Sequence, residues 1–200
     1  MNLDILDRGL EKSLSSETEA QEYEKQYKWL EAAEIYEQLA SAQSATPDTA
    51  ADTWHRAGFC FHLASRQTSD HDTFTKLNEK AVAAYTTAAF LFDQAKISGK
   101  HSLNTAFAKY TSAWQANTHA TKTQLLEECY RTGIQALETF GAEGDEANYS
   151  VVCTILQRCA FQQLKYALSG EDKRKIAEEG IKYSDKAISA IRLSNKEALI

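Results

Sequence analysis

Trp54-His55-Arg56-Ala57-Gly58-Phe59-Cys60-Phe61 is the most informative stretch of the chain. A large aromatic is followed three residues on by Ala-Gly, and three residues beyond that by another aromatic. At 3.6 residues per turn, Trp54, Ala57, Gly58 and Phe61 share one side of a helix. That side reads as a packing unit. Trp54 fills the groove of a neighbouring helix, Gly58 lets that helix approach closely, and Phe61 packs under the next pair.

The matching second helix needs small, bulky and small residues at spacings of four and three. Ala32, Tyr36 and Leu39 supply them, as do Ala81, Tyr85 and Ala88. Cys129, Gly133 and Ala136 are a small-residue version, and so are Gly180, Ser184 and Ala187. The anchors at 32, 81, 129 and 180 therefore recur roughly every fifty residues, and a fixed period of this kind is the mark of a repeat architecture. First-helix counterparts are Phe107, Tyr110, Thr111 and Trp114, then Tyr149, Val152, Cys153 and Leu156.

Breaks in the pattern divide the chain into eight helical segments: 3–25, 28–44, 47–67, 71–97, 101–117, 121–140, 145–169 and 171–194. Thr46-Pro47-Asp48 is a helix start, with Thr46 as cap and Pro47 in the first turn. Ser98-Gly99 reads as the end of a long helix, and Gly141 and Gly144 as brackets around another break. Ser169-Gly170-Glu171-Asp172 reads as a turn with acids on the next first turn. With 1 Pro and 8 Gly in 200 residues and no strand-like alternation, the fold class is all-α. Short connections make neighbours antiparallel, which predicts about four hairpins in one array over 1–200.

The 54–61 motif, with its counterparts at 29–40 and 81–88, resembles the tetratricopeptide repeat. The long, irregular units are similar to the extended repeats of the soluble NSF attachment proteins. The resemblance implies a right-handed α-solenoid of stacked hairpins. It also implies a scaffold or adaptor that binds a peptide or helix in a groove lined by the first helix of each hairpin, with a vesicle-fusion-type adaptor as one specific version.

Composition narrows the remaining classes. A net charge of −6 argues against general nucleic-acid binding. Residues 1–50 hold 11 acids and 4 bases, an acidic beginning that suits a solvated face or a basic partner. No apolar stretch of membrane-spanning length occurs, and the Met1-Asn2-Leu3-Asp4 start does not resemble a signal peptide. Cys60, Cys129, Cys153 and Cys159 sit in apolar helical patterns without a C-x-x-C pair, as buried thiols in a reducing cytoplasm would. No nucleophile elbow, phosphate loop, dinucleotide fingerprint or zinc motif is present. The expectation is a non-enzymatic protein without metal or cofactor.

Candidate binding residues follow from the groove. On the third segment His55, Phe59, His62 and Arg66 lie beside the packing set. They could receive an apolar anchor and a carboxylate. On the fifth segment the counterparts are Lys109, Ser112 and Gln115. The family's carboxylate clamp uses Lys and Asn where this chain has His55 and Phe59, so that ligand does not carry over. A second expectation is an oligomerising or sensory module that pairs with itself in a larger signalling assembly.

Overall fold

A computed structural model describes residues 16–42 and 47–197, with side chains through Ser194. Among these residues every regular element is an α-helix. The described part of α1 covers 16–25. Then follow α2 (Trp29–Ala42), α3 (Pro47–Ser65), α4 (His71–Gln94), α5 (Ser98–Gln115), α6 (His119–Glu143), α7 (Glu146–Leu164) and α8 (Gly170–Glu197). The chain divides into two compact units, Met1–Ala95 and Lys96–Ile200. The second unit is two helical hairpins, α5/α6 and α7/α8, and in the first α3 and α4 form a hairpin with α2 beside α3.

The helix ends are set by local chemistry. Asp70 accepts from the Thr73 amide at 2.8 Å, Thr118 from Thr121 at 3.1 Å, Asp145 from Asn148 at 3.0 Å and Ser169 from Asp172 at 3.0 Å. Each satisfies an amide that the first helical turn leaves without an intrahelical partner. Gly144 closes α6 in the left-handed region at φ 71°. Pro47 opens α3 as expected, while its proposed cap Thr46 lies outside the described residues. Two expected breaks are corrected. Gly141 lies inside α6, and Ser98-Gly99 begins α5 rather than ending α4.

In the first unit α3 packs against both α2 and α4. Phe61, Tyr85 and Phe92 are at most 1% exposed and fill its centre among buried alanines. A Cβ on Gly58 would stand 2.9 Å from the Tyr85 ring, closer than real side chains approach. The glycine is therefore what allows α3 and α4 to meet at this depth. Trp54, expected as the buried wedge, is only half-buried. Phe61 and Tyr85 carry that role instead.

In the second unit α6 lies against α5 and α7, and α7 against α8. The same device recurs between α6 and α7, where a Cβ on Gly133 would meet Leu156 at 2.7 Å. Leu126, Val152, Ile155 and Leu156 are fully enclosed. The four expected cysteines are free thiols and all buried. Cys159 donates to the Leu126 carbonyl at 3.1 Å, tying α7 to α6.

Gly58→Ala should lower stability by about 1–3 kcal/mol, because the enclosed Tyr85 ring has nowhere to go. Gly170→Ala, with nothing within 4 Å of the new methyl, should leave stability unchanged or slightly raised. Phe61→Ala should cost about 3–5 kcal/mol and exceed Trp54→Ala. Urea midpoints of the four variants check all three statements.

Candidate interaction surfaces

The residues expected to line a groove on α3 do not form one open face. His62 is 4% exposed and belongs to the core. His55 is half-buried, its ring 5.7 Å from that of Tyr85 on α4. Phe59 is half-buried, edge-on to Trp29 of α2 at 6.0 Å. Arg66 is exposed but lies in the turn past the end of α3. The least buried strip of α3 is Asp52, Arg56, Phe59 and Leu63. It is turned from the expected strip by about 60° of helix, a little over half a residue, and the two share Phe59. The shift has a physical cause. Burial on α3 reaches past the packing set Trp54, Ala57, Gly58 and Phe61 on its His62 side, where Ala51, His62 and Ser65 are also buried.

What occupies this strip is a polar clamp. The Arg56 guanidinium pairs with the Glu24 carboxylate of α1. It also lies over the rings of Tyr36, at 6.0 Å, and Phe59, at 5.6 Å. The Cys60 thiol donates to the other Glu24 oxygen at 3.5 Å. Burial, followed by the Glu24 carboxylate, holds the Tyr36 hydroxyl and the Cys60 thiol above their usual ranges. Glu24 and Arg56 satisfy each other, so this cluster fastens α1, α2 and α3 together. It offers no vacant charge to a ligand.

Lys109, Ser112 and Gln115 lie in the second unit and are each half-buried on α5. Lys109 is held by Glu128 of α6 at 2.7 Å. Ser112 lies one turn further along the same strip of α5.

Two clefts in the second unit had no clear sequence signal. A shallow one of about 760 Å³ runs along α8 and is bordered by Tyr149, Glu146, Lys182, Asp185, Lys186 and Leu193. A smaller one of about 140 Å³ lies between Trp114 and Tyr166. Its aromatic faces are already covered by the chain's own cations, Lys165 at 6.0 Å from Trp114 and Lys122 at 5.7 Å from Tyr166. Among the described residues no three His, Cys, Asp or Glu side chains gather as metal ligands would. No helix among them is long and apolar enough to cross a membrane.

The most unusual surface is the outer side of α8. Ile181, Ile188 and Ile191 are 57%, 48% and 48% exposed. With Ala177 and Ser184 they form a stripe at spacings of four, three, four and three. The repeat anchors align α6 with α8 at Cys129/Gly180, Gly133/Ser184 and Ala136/Ala187. That register places the stripe opposite Leu126, Tyr130, Gly133, Leu137 and Phe140. In α6 the equivalent positions are covered. Leu126, Leu137 and Phe140 are at most 8% exposed. Gly133 meets Leu156 of α7, and the Tyr130 hydroxyl donates to Glu179 and lies 3.0 Å from that of Tyr183 on α8. The stripe was legible in the sequence only as amphipathic pattern. Nothing in a single helix separates a covered apolar face from a bare one.

No protein-family model matches the chain, and neither does any curated protein or solved structure.

Tyr36, Tyr130 and Tyr183 all have hydroxyls held above the usual tyrosine range, first by burial. In the unfolded chain these groups ionise near about pH 10. Their raised folded values favour the native state fully below that pH, and the contribution is lost as pH rises above it. The Cys60 thiol is raised in the same way and ionises at about pH 8.5 when unfolded, so urea midpoints should hold steady up to about pH 8 and then fall, more steeply above about pH 10. Tyr130→Phe should make the fall shallower. An unchanged slope would place the alkaline transition elsewhere.

Proposed function

We propose that this chain is a non-enzymatic protein-interaction module, built from extended tetratricopeptide-like hairpins, that docks a partner helix on the outer face of α8. The observation that carries the reading is the register between α6 and α8. Five positions of α6 are covered by neighbouring helices, and three of their five equivalents on α8 are isoleucines that stay 48–57% exposed. An apolar stripe this long on a surface helix is unfavourable in water unless something covers it. Its spacing of three and four suits another helix rather than an extended peptide.

The charge pattern is compatible with this reading. Lys173, Arg174, Lys175, Lys182, Lys186 and Arg192 of α8 alternate with Glu171, Asp172, Glu178, Glu179 and Asp185. The mixture suits a protein partner better than a phosphate backbone or an anionic lipid surface, both of which favour an excess of cations. The reading places the binding surface on a second helix of a hairpin. The first helices, where the resemblance would put a groove, hold their charged residues Arg56 and Lys109 in ion pairs.

Ile188→Asp/Ile191→Asp should leave the helical circular dichroism and the urea midpoint close to wild type, since both positions are half-exposed. It should remove most protein recovered by affinity capture on the immobilised chain. Wild-type recovery by the double variant would refute the reading.

A further inference from the structure

We infer that the occupant of the α8 stripe is α8 of a second copy of this chain, packed antiparallel about a two-fold axis. The inference rests on the helix-docking reading above and adds the identity of the partner. It is argued from the residues at the two edges of the stripe.

Ile181, Ser184, Ile188 and Ile191 occupy the inward positions of a two-helix seam, at spacings of three, four and three. An antiparallel copy can be set so that Ile181 faces Ile191 of the second copy and Ser184 faces its Ile188. The same layers then repeat on the far side of the axis, because an isologous contact applies every pairing twice. The small Ser184 beside Ile188 lets the two backbones approach, as Gly133 does beside Leu156 within the chain.

The edges decide between a second copy and an unrelated helix. One edge carries Glu178, Asp185 and Arg192 at intervals of seven. Reversing this order places Glu178 across from Arg192 of the second copy, and Arg192 across from its Glu178. Only Asp185 meets its own equivalent, on the axis. The other edge carries Gly180 and Ala187, both buried against the body of the unit, so no charge there opposes the approach. The acid-to-base order along α8 is thus complementary to itself when reversed. A parallel copy would instead set this edge against the second copy's Gly180 and Ala187, leaving Glu178 and Arg192 without charged partners across the seam.

Glu178 already has a weak neighbour in Arg174, 3.8 Å away and largely exposed. Exchanging it for Arg192 of a second copy asks for only a rotamer change. Exposed pairs of this kind contribute modestly, so the isoleucines supply most of the affinity and the charges select the orientation.

Sedimentation equilibrium of the full chain over a wide concentration range tests the inference. Wild type should show a reversible monomer–dimer equilibrium. Ile188→Asp should be monomeric at every concentration while keeping its helical signal. Glu178→Arg should raise the dimer Kd roughly two- to thirtyfold, and Glu178→Arg/Arg192→Glu should recover most of that loss. Asp185→Asn removes the one repulsive contact and should lower the Kd. A wild-type chain that stays monomeric throughout would overturn the inference. So would a double charge reversal no better than the single. If the chain is monomeric yet Ile188→Asp/Ile191→Asp abolishes capture of another protein, self-pairing falls and the helix-docking function stands. If neither self-association nor capture depends on these isoleucines, both fall.

Discussion

Close approach of helices through a missing side chain is the constraint on which both units depend. Gly58 admits the Tyr85 ring, Gly99 admits Phe140 and Gly133 admits Leu156, each at a distance where a methyl group could not stand. A large side chain lying against bare backbone brings many atoms into contact that neither helix could reach across two ordinary side chains. The buried alanines extend the effect. Ala32, Ala33, Ala57, Ala81, Ala88, Ala106 and Ala136 are all completely enclosed. The interior is therefore built from few large residues and many small ones. That is why this chain can bury its core with little Leu, Ile and Val on the inner faces of α2 to α5.

This economy explains which parts of the fold could be read directly. Small residues at spacings of four and three fall on one face of a helix and let a neighbour approach closely. Ala81, Tyr85 and Ala88 marked the inner face of α4, and all three are buried. Turn chemistry was equally direct at Ser169, whose side chain caps α8, whereas the caps at Asp70 and Thr118 came to light only in the structure. Gly99 misled because a glycine near a helix end has two uses. It can close one helix or let the next one pack, and only the Phe140 ring, 41 residues away in sequence, distinguishes them. The α3 face was misread for a related reason. Trp54 is the largest residue of its motif, yet it is only half-buried while Ala57 and Phe61 are fully enclosed, so size alone did not mark the buried face.

The surface reading had a further obstacle. His55, Phe59, His62 and Arg66 do share a face by spacing, yet spacing does not say what lies opposite. Arg56, a position not considered for binding, turned out to hold Glu24 of α1 and to cover Tyr36 and Phe59. Its partner is 32 residues earlier, on a helix whose relation to α3 no local pattern could reveal. Likewise Ile181, Ile188 and Ile191 look like any core stripe until their exposure is known. The comparison that makes them informative is internal. Leu126, Leu137 and Phe140 hold the same register and are covered.

That internal comparison also limits how strong an α8 contact should be. Leu137 and Phe140 are almost wholly enclosed, whereas Ile188 and Ile191 already have about half of their surface covered by their own unit. Further burial thus removes only the remaining half from water, on the order of 1 kcal/mol for each side chain. Three such residues from each copy must offset the loss of independent motion on association, which is several kcal/mol at the least. The surplus is small, and a contact built this way forms and dissociates readily. A stripe of fully exposed leucines would bind more tightly but would also capture any apolar surface it met. Half-covered isoleucines edged by Glu178, Asp185 and Arg192 gain enough to pair only when the charges at the edge also match, so weak burial and charge order act together as the source of selectivity.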